Sequence, residues 1–178
     1  DIQSVVVEDW KRLVDRGVIG GDPAYQRHNG QPVVAVWGIG FGGGRDYSLE
    51  ECQRLVEFLK EDPIYGGNTV MLGVPYRWRQ LERDALADPL LHEIIQSADI
   101  ISPWSVGRYR TPEMVRSSAR DFLEKDLAWC AEFELDYMPV IFSGFSWHNL
   151  KKTLGEEHSL DSIPRLGGKF LWEQGRQV

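Results

Sequence analysis

Five of the seven tryptophans in this 178-residue chain stand apart from the others. Trp37, Trp78, Trp104, Trp147 and Trp172 fall at or just beyond the ends of predicted strands, or in a helix near the C-terminus. Indole and phenol rings offer flat apolar faces with polar edges, which suit the apolar face of a pyranose and its hydroxyls. Arg45, Arg77, Arg108, His148 and Asn149 supply hydrogen-bonding groups to the same rim. Any single Trp is equally at home in a packed core, as Trp10 and Trp129 are expected to be within helical patterns. It is the group at strand ends that points to a ligand. The residues predicted to line a sugar site are Trp37, Tyr76, Trp78, Trp104, Arg108, Tyr109, Phe145, Trp147, His148 and Asn149, with an oligosaccharide or polysaccharide as partner.

Other chemistries fit less well. Gly38, Gly40 and Gly43 satisfy a G-x-G-x-x-G spacing after a strand. The next helix, however, opens only near Ser48, too late for its N-terminus to meet a pyrophosphate, and a phosphate-binding lysine is missing. A connection that lets backbone pass close to its neighbours explains the glycines better. His28, His92, His148 and His158 are scattered without zinc-ligand spacing, so no metal and no cofactor is expected. Ser143-Gly-Phe-Ser146 is not a nucleophile elbow, although His148 is near. Glycoside hydrolysis needs two carboxylates flanking the scissile bond. Asp46 lies in a strand-end loop, but the loops at 75–79, 102–110 and 143–150 carry no Asp or Glu. No catalytic residue is therefore assigned.

The elements that carry these loops alternate. An amphipathic helix is predicted over Val5–Gly17, with Val6, Trp10, Leu13 and Val14 on one face. Pro32–Phe41 reads as a strand apolar on both sides, the mark of a parallel strand covered twice. Ser48 and Glu51 form a capping box before a helix that Asp62-Pro63 ends, its buried face being Leu55, Val56, Phe58 and Leu59. Strands follow at 68–74, 98–102 and 137–142. Helical patterns lie at 90–97, at 113–134 with Thr111 as N-cap and Pro112 in the first turn, and at 169–177. Helix-linked strands mean right-handed crossovers and a parallel sheet. Two α/β architectures accept this: βα units forming part of a (β/α)8 TIM barrel, or a small open doubly wound sheet that would take a nucleotide at the Gly38–Gly44 loop. Both bind ligands at the carboxyl ends of the strands. A whole barrel takes about 250 residues, so residues 1–178 are expected to form a single, incomplete barrel domain.

Composition narrows the partners. The hydrophobic fraction of 42%, the charged fraction of 26% and the net charge of −7 suit a globular protein and argue against nucleic acid, which needs a basic face. No stretch reaches the roughly 20 apolar residues of a membrane span. Cys52 and Cys130 are expected to be buried and unpaired.

Five motifs occur in order: Pro32-Val-Val-Ala-Val-Trp-Gly, Gly73-Val-Pro-Tyr-Arg-Trp, Ile101-Ser-Pro-Trp-Ser-Val-Gly-Arg, Pro139-Val-Ile-Phe-Ser-Gly-Phe-Ser-Trp-His-Asn and Gly168-Lys-Phe-Leu-Trp-Glu-Gln. Together they resemble the glycoside hydrolase family 71/99-like proteins, which include endo-α-mannosidase-type enzymes and bacterial proteins labelled xylosidase/arabinosidase. The resemblance covers the chain from about Asp9 onward. It implies a TIM barrel, a sugar site at the carboxyl face and an extracellular or periplasmic setting. It also implies that the catalytic glutamates, in a Glu-x-x-Glu cluster, lie on a strand after Trp172-Glu173-Gln174 and so beyond Val178. Glu173 itself is not promoted to that role. The chain is then expected to be a segment of a glycoside hydrolase, inactive alone and prone to self-association through exposed barrel edges. A non-catalytic carbohydrate-binding protein on the same scaffold is the alternative.

Overall fold

Two strands leave no residue to water. In β3 (Thr69–Val74) and β4 (Ile100–Pro103) every side chain is buried, as expected for parallel strands covered on both faces. The computed structural model describes residues 2–160 and 162–178, without the side chain of Gln3. These form two compact units, residues 2–103 with 133–138, and residues 104–132 with 139–178.

The first unit is a mixed α/β structure built on a curled, half-barrel sheet of five strands in the order β1-β2-β3-β4-β5. β2 (Gln31–Trp37), β3, β4 and β5 (Asp136–Tyr137) are mutually parallel neighbours; β1 (Arg27–His28) pairs antiparallel with β2. A doubly wound sheet reverses its strand order at a switch point. Here β2 to β5 follow in chain order, so the open doubly wound alternative does not form.

β1 and β5 lie at opposite ends of the pairing order, yet His28 Nε2 is 2.7 Å from Asp136 Oδ2. The β1 hairpin thus crosses the amino ends of the strands, and Thr69 Oγ1 donates to the His28 carbonyl beneath β3 at 3.1 Å. Asp99 braces the same end: its carboxylate accepts from Val70 N and from Lys60 Nζ, each at 2.8 Å.

The helices of this unit are α1 (Glu8–Asp15), entered through a π turn at Gln3–Val7, α2 (Leu49–Glu61) and α3 (Leu90–Gln96). The π turn rotates the predicted face, so that Val7 and Trp10 are buried while Val6 is exposed. The capping box at α2 forms in both directions, Ser48 to Glu51 and back. Leu49, Cys52, Leu55, Val56 and Leu59 give α2 its buried stripe, with Phe58 at its margin.

β2 departs from expectation. Despite its apolar sequence, none of its residues is fully buried: Gln31, Ala35 and Trp37 are exposed and the other four half-covered. β1 covers it only at Arg27 and His28.

In the second unit the long helix predicted at 113–134 is realised as α4 (Pro112–Ser118), a π segment (Ala119–Leu123) and α5 (Glu124–Glu132). Thr111 caps it as expected, accepting from Met114 N. α6 (His148–Thr153) and α7 (Lys169–Gly175) complete the unit, the latter after a 3-10 turn at Leu166–Gly168. Tyr109, Val115, Phe142, Ile163 and Phe170 form its core. Phe142 meets Tyr109 and Phe170 with ring centroids 5.3 Å away in each case.

The strand predicted at 137–142 stops at Tyr137, apart from one further ladder bond from Met138 N to Ile101 O. Beyond it the backbone turns to side-chain partners: Val140 O accepts from Ser105 Oγ, and Phe142 pairs with Gln174. Its side-chain amide accepts from Phe142 N at 3.0 Å and donates to Phe142 O at 2.7 Å, doing for Phe142 what a neighbouring strand would do. Both cysteines are buried and free, and burial pushes their thiols up, to about 11 for Cys52 and about 12 for Cys130.

Candidate functional site

In the second unit, two segments run side by side and present aromatic side chains. Phe145 and Ile163 exchange a pair of backbone hydrogen bonds, 3.1 and 2.9 Å. Ser146 Oγ donates to Ser159 O at 2.8 Å while accepting from His148 N. His148 Nδ1 lies 2.7 Å from His158 O. A carbonyl can only accept, so Nδ1 carries the hydrogen. This zipper fixes the turn at which Trp147 emerges, its ring edge-on to Phe145 at 5.0 Å.

The segment after β4 supplies the opposite wall. Arg108 N closes a turn onto Ser105 O at 3.0 Å, and Ser105 Oγ donates to Val140 O at 2.5 Å. Tyr109 then plunges into the core, where its hydroxyl reaches Gln174 Oε1 at 3.2 Å. Burial pushes the Tyr109 phenol up, keeping it protonated as a donor. Arg108 and Arg110 flank this anchor and are both exposed.

Between these walls lies a cavity of about 350 Å³ lined by Trp104, Val106, Gly107, Arg108, Arg110, Phe145, Trp147, His158, Ser162 and Ile163. Trp104 keeps 40% of its surface exposed and Trp147 48%. Among the described residues no carboxylate lines the groove. The described lining can therefore stack on a flat apolar face and donate hydrogen bonds.

Of the ten predicted site residues, Trp104, Arg108, Phe145 and Trp147 line this one cavity. His148 faces a separate cavity of about 510 Å³ with Lys152, Glu156, Glu157, His158 and Ser159. Asn149 is exposed in the first turn of α6, its carbonyl bonded by Thr153. Tyr109 is a correction: it is a core anchor with little surface to offer a ligand.

The remaining three belong to the first unit. Trp37, 44% exposed, ends β2 with its ring laid over Gly73, where a Cβ would fall 2.2 Å from the indole. Tyr76 lies in the loop after β3, 5.9 Å from the Arg77 guanidinium, and Asp84 accepts from the backbone of both. Trp78 is the second correction. It is wholly buried, edge-on to His92, so it holds the loop down instead of facing solvent.

The glycine loop behaves as a close-packed connection. A Cβ on Gly40 would fall 2.4 Å from Leu91, while Gly42 N donates to Asp84 O and Gly40 O accepts from Leu86 N. Among the described residues no group of three or more His, Cys, Asp or Glu is disposed to hold a metal, and no helix is long and apolar enough to cross a membrane.

The sequence reading did not reach Arg110, His158 or Ser162. Arg110 follows Tyr109, whose burial the sequence does not announce. His158 and Ser162 come to the groove only through the zipper with residues 145–148, which has no local signature. No protein-family model matches the chain, and no curated protein or solved structure is significantly similar to it.

Proposed function

We propose that the chain is a carbohydrate-binding segment of an enzyme acting on O-glycosidic bonds, with the sugar held in the Trp104–Trp147 groove. One observation carries the proposal: two exposed indoles border a ligand-sized cavity that also has guanidinium, imidazole and hydroxyl groups at its edge. The indoles would stack on apolar pyranose faces and excluded water would favour the contact, while the polar groups would fix orientation. A partial (β/α)8 barrel is the corresponding fold proposal. The curled sheet with parallel strands in chain order supports it, as does the position of Trp104 immediately after Pro103 at the carboxyl end of β4.

The second reading, a non-catalytic carbohydrate-binding protein, is favoured by the lack of carboxylates among the described residues of the groove. Calorimetric titration with oligosaccharides selected on a glycan array tests the binding common to both. Trp104→Ala and Trp147→Ala should each weaken affinity about tenfold with unchanged melting. Unchanged affinity in both variants would remove the sugar from this groove. Sequencing the reading frame past the codon for Val178 separates the two: a following apolar strand ending in paired acidic residues favours the hydrolase.

A further inference from the structure

The β1 hairpin turns on Asn29 and Gly30, both with left-handed backbone, φ being 49° and 82°. His28 pairs with Gln31 across them. A two-residue turn of this kind suits the twist of its strands and favours Asn-Gly, because few residue pairs tolerate both angles. The same dipeptide carries a chemical weakness. Glycine has no Cβ to hold its nitrogen away from the preceding side chain, so Gly30 N can approach Asn29 Cγ. Both residues are exposed. Among the described residues, neither the Asn29 carboxamide nor the Gly30 N–H is engaged in a hydrogen bond. We infer that Asn29 is a site of spontaneous deamidation to isoaspartate, and that this modification releases the β1 hairpin from the sheet.

Position decides among the chain's three asparagines. Asn68 is buried, its amide donates to Leu59 O and Tyr65 O at 2.7 and 3.2 Å, and β-branched Thr69 follows it. Asn149 lies in α6 ahead of Leu150, where helical backbone and a bulky side chain keep the next nitrogen away. At Asn29 the Gly30 nitrogen bonds to Cγ, the Cγ–Nδ2 bond breaks, and ammonia leaves with the proton of that nitrogen. Water then opens the cyclic imide. Cleavage at Cγ gives aspartate; cleavage at the main-chain carbonyl gives isoaspartate, whose chain runs through Cβ and Cγ. Nothing is oxidised or reduced. The extra main-chain atom does not fit a two-residue turn whose register is fixed by the Arg27–Pro32 and His28–Gln31 pairs. Lost with the turn are Val33 N to Gln26 O, Thr69 Oγ1 to His28 O, and His28 Nε2 with Asp136. Because β1 has two residues and one neighbouring strand, the openings that start the reaction need little free energy.

The test ages the full 178-residue chain in mildly alkaline buffer and maps its peptides by mass, with enzymatic methylation to detect isoaspartate. Asn29 is expected to convert while Asn68 and Asn149 stay intact. Hydrogen exchange on the aged chain should show the Val33 N–H losing protection. The Val70 N–H, which donates to the Asp99 carboxylate, should keep it. Asn29→Gly supplies the control: Gly-Gly retains the turn but has no carboxamide, so both changes should disappear. An Asn29 that stays intact in the folded chain yet converts in urea overturns the inference, since the turn then protects it. So does faster conversion at Asn68 or Asn149. Conversion with full protection kept at Val33 overturns the release, because the hairpin then tolerates the longer backbone.

Discussion

The two units of this chain are held together in different ways. In the first, the backbone does most of the work: β3 pairs along its length with β2 and β4, and α2 lays an uninterrupted apolar stripe beside them. In the second, five buried side chains and one glutamine amide hold loops and short helices in place. A ladder distributes its stability over many similar bonds, so no single side chain decides it. A small aromatic cluster concentrates stability in a few residues and leaves the surrounding backbone free to take the irregular paths that a binding groove requires. The groove bordered by two tryptophans lies in the second kind of structure.

Four substitutions or labels test that contrast. Phe170→Ala should have the largest effect, about 3–5 kcal/mol, because the ring is fully buried between Tyr109 and Phe142. Hydrogen exchange should show residues 104–132 and 139–178 losing protection while β3 keeps it. Simultaneous loss in both units would abolish the distinction. Gln174→Leu comes next, at about 3 kcal/mol by denaturant titration, since it strands the buried N–H and C=O of Phe142 and the hydroxyl of Tyr109. A neutral outcome would mean that the amide network is dispensable.

Gly73→Ala tests the first unit and should cost about 1–3 kcal/mol, because the new methyl occupies the place of the Trp37 ring. In a Trp37→Ala background most of that penalty should vanish. If it persists, the clash is with backbone and not with the indole.

The smallest effect concerns the thiols, one in each unit. Both are held protonated by burial, so at pH 8 they should react with a thiol reagent only on opening. Cys130 in α5 should react faster than Cys52 in α2, reporting easier opening of the second unit. The folded state also keeps these protons where the unfolded chain releases them. Their contribution is therefore full below pH 9, the ordinary thiol value, and declines as pH rises toward about 11 and about 12.

What was legible in the sequence follows the same division. β2, β3, β4, α2 and α3 announced themselves through continuous apolar runs, the capping box and the Asp62-Pro63 stop, all of them local signals. The run Met138–Phe142 looks equally strand-like, but Val140 O accepts from the Ser105 hydroxyl and Phe142 bonds the Gln174 amide, 32 residues away. Periodicity cannot distinguish a strand that finds a neighbouring strand from one that finds a side-chain amide. The site divides likewise. Trp104, Arg108, Phe145 and Trp147 stand out by residue type and strand-end position. Trp78 and Tyr109 have the same residue character but are buried, which depends on tertiary packing that residue type does not encode.

The first unit is also interrupted in sequence, and its hydrogen bond between His28 and Asp136 joins residues 108 positions apart. During synthesis, β2, β3 and β4 can associate as soon as residue 103 has emerged, but β5 and the partner of His28 arrive only after the whole 104–132 segment. Closing so long a loop is entropically slow. Until it closes, β4 presents an unpaired edge and the β1 hairpin has nothing to latch onto. Residues 133–138 therefore act as the last stitch in the sheet, and the moment of greatest exposure to aggregation falls just before they arrive.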